Sequence, residues 1–306
     1  MRVLSLFDGI SCARVSLERA NLPISAYYSS EIDKNAIQIS TKNFPDIIRL
    51  GSVVGLTPPE DIDLLIGGSP CQDLSIAKKE RKGLDGDRSS LFWEYVHIKK
   101  ECNPKWFILE NVASMPKKDK DIITEAMGVE PVLFNASLVS AQSRKRLFWT
   151  NIPFTLPDDK GILLKHILQP DAEVDERMVI QGKAYCLTAT YSHVNSTEIG
   201  VKNSVEKKQR TQVKRIGHIG NGPSQGNRVY DPEGKSVTLS ANGGGCGAKT
   251  GLYKIGSIRK LTPIECERLQ GLPDDYTSGV AMTQRYKCLG NAFNVDVVCC
   301  IVKGMV

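Results

Sequence analysis

The sequence has no C-x-x-C pair and no cluster of cysteine and histidine at metal-ligand spacing, although it contains nine cysteines. A structural zinc site is therefore not expected. The sequence also has no signal peptide and no uninterrupted apolar run of about eighteen residues, the length that a membrane span requires. Together with the odd cysteine count, these absences predict a cytoplasmic protein with free thiols, without a metal and without a membrane segment.

A G-x-G-x-x-G motif is missing as well. The first loop, Phe7-Asp8-Gly9-Ile10-Ser11, follows an apolar run and opens a helix, where a Rossmann-like fold holds a nucleotide-containing cofactor. Without the glycine pattern a pyrophosphate is disfavoured, so a cofactor without phosphates is preferred. Glu31 ends the second predicted strand, where a carboxylate accepts hydrogen bonds from ribose hydroxyls.

The amino-acid composition and the pattern of apolar residues change twice along the chain. Residues 1–154 alternate short apolar runs with helical stretches, which predicts a doubly wound, mostly parallel α/β domain. Residues 155–275 combine Gly, Asn, Ser and Thr with short β-like runs, which predicts a smaller β-rich domain. The apolar segment 276–306 is predicted to complete the first domain. The predicted strands are 2–7, 26–30, 64–67, 106–109, 132–139 and 146–150, and the predicted helices are 10–20, 34–43, 89–100 and 118–127.

Positive charge is distributed unevenly, although the formal net charge is only +6. One basic run is Lys78-Lys79-Glu80-Arg81-Lys82, and a second group lies between Lys202 and Arg215. Such runs are either ordinary solvated surface or contacts to a phosphate backbone. The sequence by itself leaves both interpretations open.

Reactive side chains follow or precede several predicted strands. Cys71, in Ser69-Pro70-Cys71-Gln72, follows an apolar run. A proline-stiffened turn there suits a reactive thiol, but for a cysteine taken alone the buried, inert state is the commoner one. Glu110-Asn111-Val112 follows another strand, which predicts its carboxylate at the same sheet edge. The arginines of Gln142-Ser143-Arg144-Lys145-Arg146 precede a strand, where they orient a polar substrate and favour a thiolate. These groups together predict an assembled site.

This ordered set resembles the DNA (cytosine-5)-methyltransferase family. The resemblance rests on Phe7-Asp8-Gly9, Glu31, Gly68-Ser69-Pro70-Cys71-Gln72, Glu110-Asn111-Val112, Gln142-x-Arg144-x-Arg146, Arg268-Leu269-Gln270-Gly271 with Pro273, and Gly290-Asn291-Ala292. It spans nearly the whole chain except residues 155–255. Asp8-Gly9-Ile10 and the Gly-Ser-Pro-Cys form are also similar to the animal de novo branch, whereas the long variable segment looks bacterial or phage-like.

The resemblance implies a Rossmann-like, class I S-adenosylmethionine-dependent methyltransferase. It implies methyl transfer to carbon 5 of a flipped-out cytosine in double-stranded DNA, with S-adenosylhomocysteine as product, in DNA methylation or restriction–modification. The Cys71 thiolate adds to carbon 6, and Glu110, protonated or sharing a proton with ring nitrogen 3, stabilises the charge there. Arg146, with Arg144 nearby, holds the base carbonyl and Cys71. One site that flips one base requires only a monomer.

The resemblance also implies contact residues. The cofactor contacts are Phe7, Asp8, Gly9, Ile10, Glu31, Ile32, Ser52, Val53, Pro70, Leu91, Asn291 and Ala292. The DNA contacts are Gln72, Ser75, Lys78, Arg81, Thr238, Leu239 and Arg268, and residues 73–90 form a mobile loop over the DNA. The sequence departs from the family pattern at two places. Ser11-Cys12 stands where many relatives have a second glycine, and Ser52 stands where an aspartate often binds the adenine amine. Weaker or water-mediated adenine recognition is therefore expected.

Three alternatives remain. An RNA (cytosine-5)-methyltransferase is disfavoured because the Cys-Phe-Thr tripeptide of that branch is missing and the variable segment is long. A catalytically silent DNA-binding relative has no chemical reason to retain Cys71, Glu110 and Arg146 together. A nucleotide-dependent oxidoreductase is weakened by the missing glycine pattern.

Overall fold

The computed structural model describes residues 1–69, 91–169, 212–219, 225–241, 247 and 249–306. Contacts divide the chain into two compact units. The first unit contains Met1–Asn135, Lys145–Pro157 and Ala292–Val306, and the second contains Ala136–Arg144 and Asp158–Asn291. The division by contacts thus separates 276–291 from 292–306, which the sequence analysis grouped in one segment.

A seven-stranded sheet forms the centre of the first unit. Its strands are β1 (Arg2–Leu6), β2 (Ala26–Ser30), β3 (Ile48–Gly51), β4 (Leu64–Gly67), β5 (Trp106–Val112), β6 (Val132–Asn135) and β7 (Lys145–Thr150). The order is β3-β2-β1-β4-β5-β7-β6, with only β7 antiparallel to its neighbours. The chain runs outward from β1 to β3 and then returns to the other side of β1. That reversal opens a crevice at the carboxyl ends of β1 and β4.

Seven α-helices occur in the described residues. They are α1 (Cys12–Arg19), α2 (Lys34–Asn43), α3 (Leu91–Cys102), α4 (Lys117–Met127), α5 (Pro263–Gln270), α6 (Met282–Asn291) and α7 (Val295–Val302). The Asp33 side chain caps α2 by accepting from the amides of Asn35 and Ala36. Helix α7 packs on α1, where the Ser16 hydroxyl donates to the Val295 carbonyl at 3.1 Å. The mostly parallel α/β sheet confirms the predicted fold class.

The stretch Met282–Met305 has the length and mean hydropathy, 1.3, of a candidate membrane span. In the fold it is broken into α6 and α7, because Asn294 begins a new helix by accepting from the Val297 amide. Within the candidate window 61% of the residues are buried. Core helices of this kind pass the same test, so the stretch is weak evidence for a membrane segment.

Two predicted strand ends were wrong by three residues or more. Strand β5 continues through Val112 instead of ending at Leu109, because β7 pairs with these residues antiparallel and extends the ladder. Strand β6 ends at Asn135 instead of Val139, because the chain then enters a 3₁₀ turn over Ala136–Leu138. The short strand β3 was not predicted at all; its residues are partly or fully exposed.

The second unit contains a four-stranded sheet of order β11-β10-β9-β8. Its strands are β8 (Arg215–His218), β9 (Arg228–Tyr230), β10 (Leu252–Ile255) and β11 (Ser257–Arg259). Ile219, Val229 and Leu252 form a small core beside it. Helix α5 begins with a capping box in which Thr262 and Glu265 each accept the other's amide, the helix start that the sequence pattern Thr262-Pro263-x-Glu265 predicts.

Candidate active site

The loop after β1 has an unusual backbone. Phe7, Gly9 and Ser11 have φ values of 55, 59 and 60°. Residues other than glycine rarely adopt this left-handed backbone conformation, and each one that does costs the folded state on the order of 1–2 kcal/mol. Two strained residues within five positions therefore need support from the surrounding fold.

Asp8 supplies that support from inside the fold. It is 4% exposed. Its Oδ2 accepts from the hydroxyls of Ser11 at 2.6 Å and Ser29 at 2.8 Å, and its Oδ1 accepts from Tyr27 at 2.7 Å. The Ser11 hydroxyl also contacts that of Ser40. Asp8 was predicted to contact the cofactor, but the structure turns its carboxylate into the core, where it holds the loop.

This contact explains why a serine replaces the second glycine of the loop. Ser11→Ala keeps the strained backbone and removes the bond to Asp8, so we expect a loss of about 2 kcal/mol in the free energy of unfolding and weaker S-adenosylmethionine binding. Ser11→Gly relieves the strain, so we expect a loss of about 1 kcal/mol or less. Urea unfolding and calorimetric titration measure both quantities. An alanine variant as stable as the wild type would show that the hydroxyl contributes nothing.

Glu31 connects the ends of β1 and β2. Its Oε2 accepts from the Gly9 amide at 2.8 Å, and its Oε1 accepts from the amides of Ile32 at 2.7 Å and Asp33 at 2.8 Å. The side chain of Ile32 is 72% exposed, and Val54, after β3, is 61% exposed. A carboxylate beside exposed apolar side chains fits a nucleoside with ribose hydroxyls and a flat base.

The remaining predicted cofactor residues lie in varied surroundings. Ser52 is exposed and its hydroxyl accepts from the Val54 amide at 3.1 Å, while Val53 is buried. Ile10 and Ala292 are buried, and Leu91, at the start of α3, is partly buried. Asn291 is exposed at the end of α6 in the second unit. Among the predicted cofactor residues of the first unit, Ile32 and Ser52 are thus exposed. Partly exposed residues are Phe7, Gly9, Glu31 and Leu91.

Glu110 and Arg146 form an ion pair. The Arg146 Nε lies 2.7 Å from the Glu110 Oε1, and the two side chains are 16% and 13% exposed. The pair follows from the antiparallel register: Glu110 is opposite Phe148, so Arg146 is its diagonal neighbour on the same face. The extension of β5 that the sequence did not predict is thus what joins these two predicted site residues.

Gly68 and Ser69, which precede Cys71 in the chain, lie beside Glu110 and Asn111. A Cβ on Gly68 would lie 3.2 Å from the Glu110 Oε2 and 2.9 Å from the Phe293 ring, so only glycine allows this approach. The Asn111 side-chain amide donates to the Ser69 hydroxyl at 3.1 Å, and both residues are buried. Asn111 is thus a positioning group that the Glu-Asn-Val motif contained but whose partner the sequence did not reveal.

Arg144 lies in the second unit and is 3% exposed. Its guanidinium donates to the carbonyls of Leu239 at 3.3 Å and Gly290 at 3.2 Å. A second bond connects the same two segments, because the Thr238 hydroxyl donates to the Ser143 carbonyl at 2.6 Å. Arg144 was predicted to assist at the base; its contacts in the structure are to backbone carbonyls of two other motif segments.

Arg268, predicted to contact DNA, binds within the second unit. Its guanidinium makes two bonds to the Asp274 carboxylate, at 2.8 and 2.6 Å, and donates to the carbonyls of Ile167 and Leu168. This pairing lowers the pKa of Asp274. Pro70, Cys71, Gln72, Ser75, Lys78 and Arg81 lie outside the described residues, as does the predicted mobile loop 73–90. Over the described ranges, no group of three His, Cys, Asp or Glu side chains could hold a metal ion.

Known proteins of one family match the whole chain. The profile described as C-5 cytosine-specific DNA methylase covers residues 1–306. Type II methyltransferase M.HhaI of Haemophilus parahaemolyticus is 32% identical over 97% of this chain and 92% of its own length. Type II methyltransferase M.NgoBI of Neisseria gonorrhoeae is 29% identical over 97% and 90%.

The fold has solved counterparts. The crystal structure of a putative DNA modification methyltransferase encoded within a prophage of E. coli superimposes with a TM-score of 0.67 at 20% identity, covering 100% of this chain and 98% of that one. At that identity the likeness shows the fold alone. The strands that present Glu31, Gly68 and Glu110, together with the match over the full length, establish that the chain belongs to the C-5 cytosine-specific DNA methylase family.

Proposed function

We propose that this protein, acting as a monomer, transfers the methyl group of S-adenosylmethionine to carbon 5 of a cytosine in double-stranded DNA. The observation that carries the proposal is the convergence of Glu110 and Arg146 beside Gly68 and Ser69, the residues that lead into Cys71. A carboxylate and a guanidinium beside the residues that precede a cysteine in the chain supply groups that addition to a pyrimidine requires.

Cys71 acts as the nucleophile. Carbon 5 of cytosine is a poor nucleophile, and a thiolate that adds to carbon 6 pushes electrons onto carbon 5. When bound, S-adenosylmethionine supplies an electrophilic methyl group. After carbon 5 is methylated, a base removes its proton and the bond from Cys71 to carbon 6 breaks by β-elimination, which returns the thiolate.

Glu110 and Arg146 act on the ring. When the base binds, Glu110 takes up a proton from solvent and shares it with ring nitrogen 3, and its other oxygen accepts a hydrogen bond from the exocyclic amine, so that charge arriving during thiolate addition is stabilised. Arg146 holds the base carbonyl and keeps the Glu110 carboxyl oriented through the ion pair at 2.7 Å. Asn111 fixes Ser69 and thereby the start of the segment that carries Cys71.

The loop Phe7–Ser11 and Glu31 hold the cofactor. Glu31 orients the loop through the Gly9 amide and retains lone pairs for the ribose hydroxyls. Ile32 offers an apolar surface to the adenine, and Ser52 offers a hydroxyl to its amine. Asp8 acts through the loop and does not itself contact the cofactor.

Double-stranded DNA binds through two sets of groups. Because a stacked cytosine cannot reach the site, the base is flipped out, at a cost of a few kcal/mol. Gln72, Ser75, Lys78 and Arg81 are proposed to contact the opened duplex. Thr238 and Leu239 are proposed to belong to the segment that reads the target, with Lys and Arg positioning the phosphates. Arg268, whose side chain is 31% exposed while it pairs with Asp274, is proposed to lie on this surface as well.

Methyl transfer to nucleic acid tests the function. We expect purified protein to transfer labelled methyl groups to mixed-sequence duplex DNA at cytosine, and bisulfite sequencing of the product to show one short target. Equal mass of mixed-sequence RNA is the control substrate and should remain unlabelled. Transfer to RNA with unmodified DNA would favour the RNA methyltransferase, and confirmed S-adenosylmethionine binding with no transfer to DNA would contradict the proposal.

A further inference from the structure

Lys235 is a fully buried cation that the sequence analysis did not identify. It lies in the second unit, and its side chain is 0% exposed. Its ammonium donates to the carbonyls of Ser137 at 2.7 Å and Ser140 at 3.0 Å, and lies 3.4 Å from the Asp159 carboxylate. A buried lysine is rare in proteins, so this position requires an explanation.

The two carbonyls belong to the 136–140 turn, which begins with the 3₁₀ residues Ala136–Leu138 and is closed by the Ser140 amide, which donates to the Ala136 carbonyl at 2.8 Å. One ammonium donates to both carbonyls and so connects the two halves of this turn. Burial lowers the pKa of the Lys235 ammonium, and Asp159 offsets that effect only in part. A methionine or leucine would fill the space without desolvating a charge, so what lysine adds is the fixed position of the turn.

Hydrogen bonds also connect residues 141–144, which follow the turn, to residues 236–239, which follow Lys235. The Ser236 amide donates to the Ala141 carbonyl at 2.8 Å, and the Ser143 amide donates to the Ser236 carbonyl at 2.9 Å. Beyond these bonds, Thr238 donates to Ser143 and Arg144 donates to Leu239. Lys235 is therefore the first of a series of contacts that ends at the Thr238-Leu239 pair.

We propose that Lys235 is a positioning residue for target recognition: its ammonium fixes the 136–140 turn and thereby sets the register between Arg144 and the Thr238-Leu239 pair. The inference rests on the proposed function, since it assigns these residues to a DNA-reading segment. Lys235 acts through the backbone of the segment that contains Thr238 and Leu239, and it makes no contact of its own with a base. The Leu239 side chain, predicted to contact DNA, is only 3% exposed, so it supports this segment from inside.

The decisive comparison is Lys235→Met against Lys165→Met. Lys165 is 43% exposed and pairs with Glu233, so Lys165→Met should leave the KM for duplex DNA and the discrimination between duplexes unchanged. For Lys235→Met we expect an increase of about tenfold in the KM for duplex DNA and reduced discrimination against duplexes with one base pair changed in the target. The affinity for S-adenosylmethionine should remain as in the wild type.

These readouts separate positioning from simple support of the fold. A purely structural lysine would lower the melting temperature and leave the KM for DNA and the discrimination of the folded fraction unchanged, which would overturn the proposal. If Lys235→Met does not fold, Lys235→Gln, which keeps one donor, is held to the same criteria. DNA affinity by fluorescence anisotropy needs no catalysis, so a wild type that binds DNA without methylating it would contradict the proposed function and leave this comparison decisive.

Discussion

Cys71→Ser is expected to reduce methyl transfer to DNA by more than about 1,000-fold, because a serine hydroxyl is ionised far less readily than a thiol and is a weaker nucleophile towards carbon 6. The variant should still bind S-adenosylmethionine and duplex DNA, since the loop Phe7–Ser11 and Glu31 are unchanged. Methyl transfer under single-turnover conditions, with both binding affinities measured separately, provides the test.

Cys102→Ser is the matched control for this experiment. Cys102 lies at the end of α3, where burial raises the pKa of its thiol to about 11, so it is almost entirely protonated at neutral pH. We expect its replacement to leave the transfer rate within about twofold of the wild type, within the range of a tolerated substitution. A Cys71→Ser variant that transfers methyl groups at a rate near the wild type would exclude the covalent mechanism.

A duplex with 5-fluorocytosine at the target provides an independent test of the adduct. Fluorine at carbon 5 leaves no proton for the base to remove, so β-elimination is blocked and the bond from Cys71 to carbon 6 should persist. Denaturing electrophoresis should show a DNA-linked band with the wild type and with Cys102→Ser. Its appearance with Cys71→Ser would place the nucleophile at another residue.

Glu110→Gln has the second-largest expected effect. Glutamine preserves the shape of the side chain and removes the acid that donates to ring nitrogen 3, so we expect kcat to fall by about 100- to 1,000-fold. The KM for DNA should change much less, because the lost interaction strengthens as charge develops on the ring. Steady-state kinetics over a range of DNA concentrations separates the two quantities.

The ion pair with Arg146 adds a consequence for stability. Both side chains are largely buried, so losing the carboxylate leaves the guanidinium partly uncompensated, and we expect Glu110→Gln to lower the free energy of unfolding by about 1–3 kcal/mol. Glu18→Gln is the control, because it breaks the ion pair between Glu18 and Arg14, in which the Glu18 side chain is 46% exposed. It should lower the free energy of unfolding by less than about 1 kcal/mol and leave kcat unchanged. A Glu110→Gln enzyme with wild-type kcat would remove Glu110 from the chemistry.

The central strands and the motifs at their ends were predictable from the sequence. The runs of β1 and β4 are short and mostly apolar, and β2 combines two tyrosines with two serines. These local patterns are sufficient to place Phe7, Glu31 and Gly68 at one edge of a parallel sheet. The capping box of α5 was predictable for the same reason, since Thr262 and Glu265 lie within one turn. Local signals of this kind depend on few residues.

Contacts between residues distant in sequence were not predictable. Strand β5 extends through Glu110 only because β7 pairs with it, and the Glu110–Arg146 ion pair depends on that pairing. Asp8 is part of a cofactor-loop motif, but Tyr27, Ser29 and Ser11 turn its carboxylate inward. Lys235 carries no motif signal, because the carbonyls that it binds come from residues about a hundred positions earlier in the chain.

The sequence by itself determined the family and the class of fold and predicted the reactive groups, because these depend on short motifs and on hydrophobic patterns within single elements. Only the tertiary structure decided which partners several of the predicted site residues have. Glu110 faces Arg146, whereas Asp8 and Arg144 bind within the protein, because the direction and partners of a polar side chain are set by neighbouring strands and turns from elsewhere in the chain.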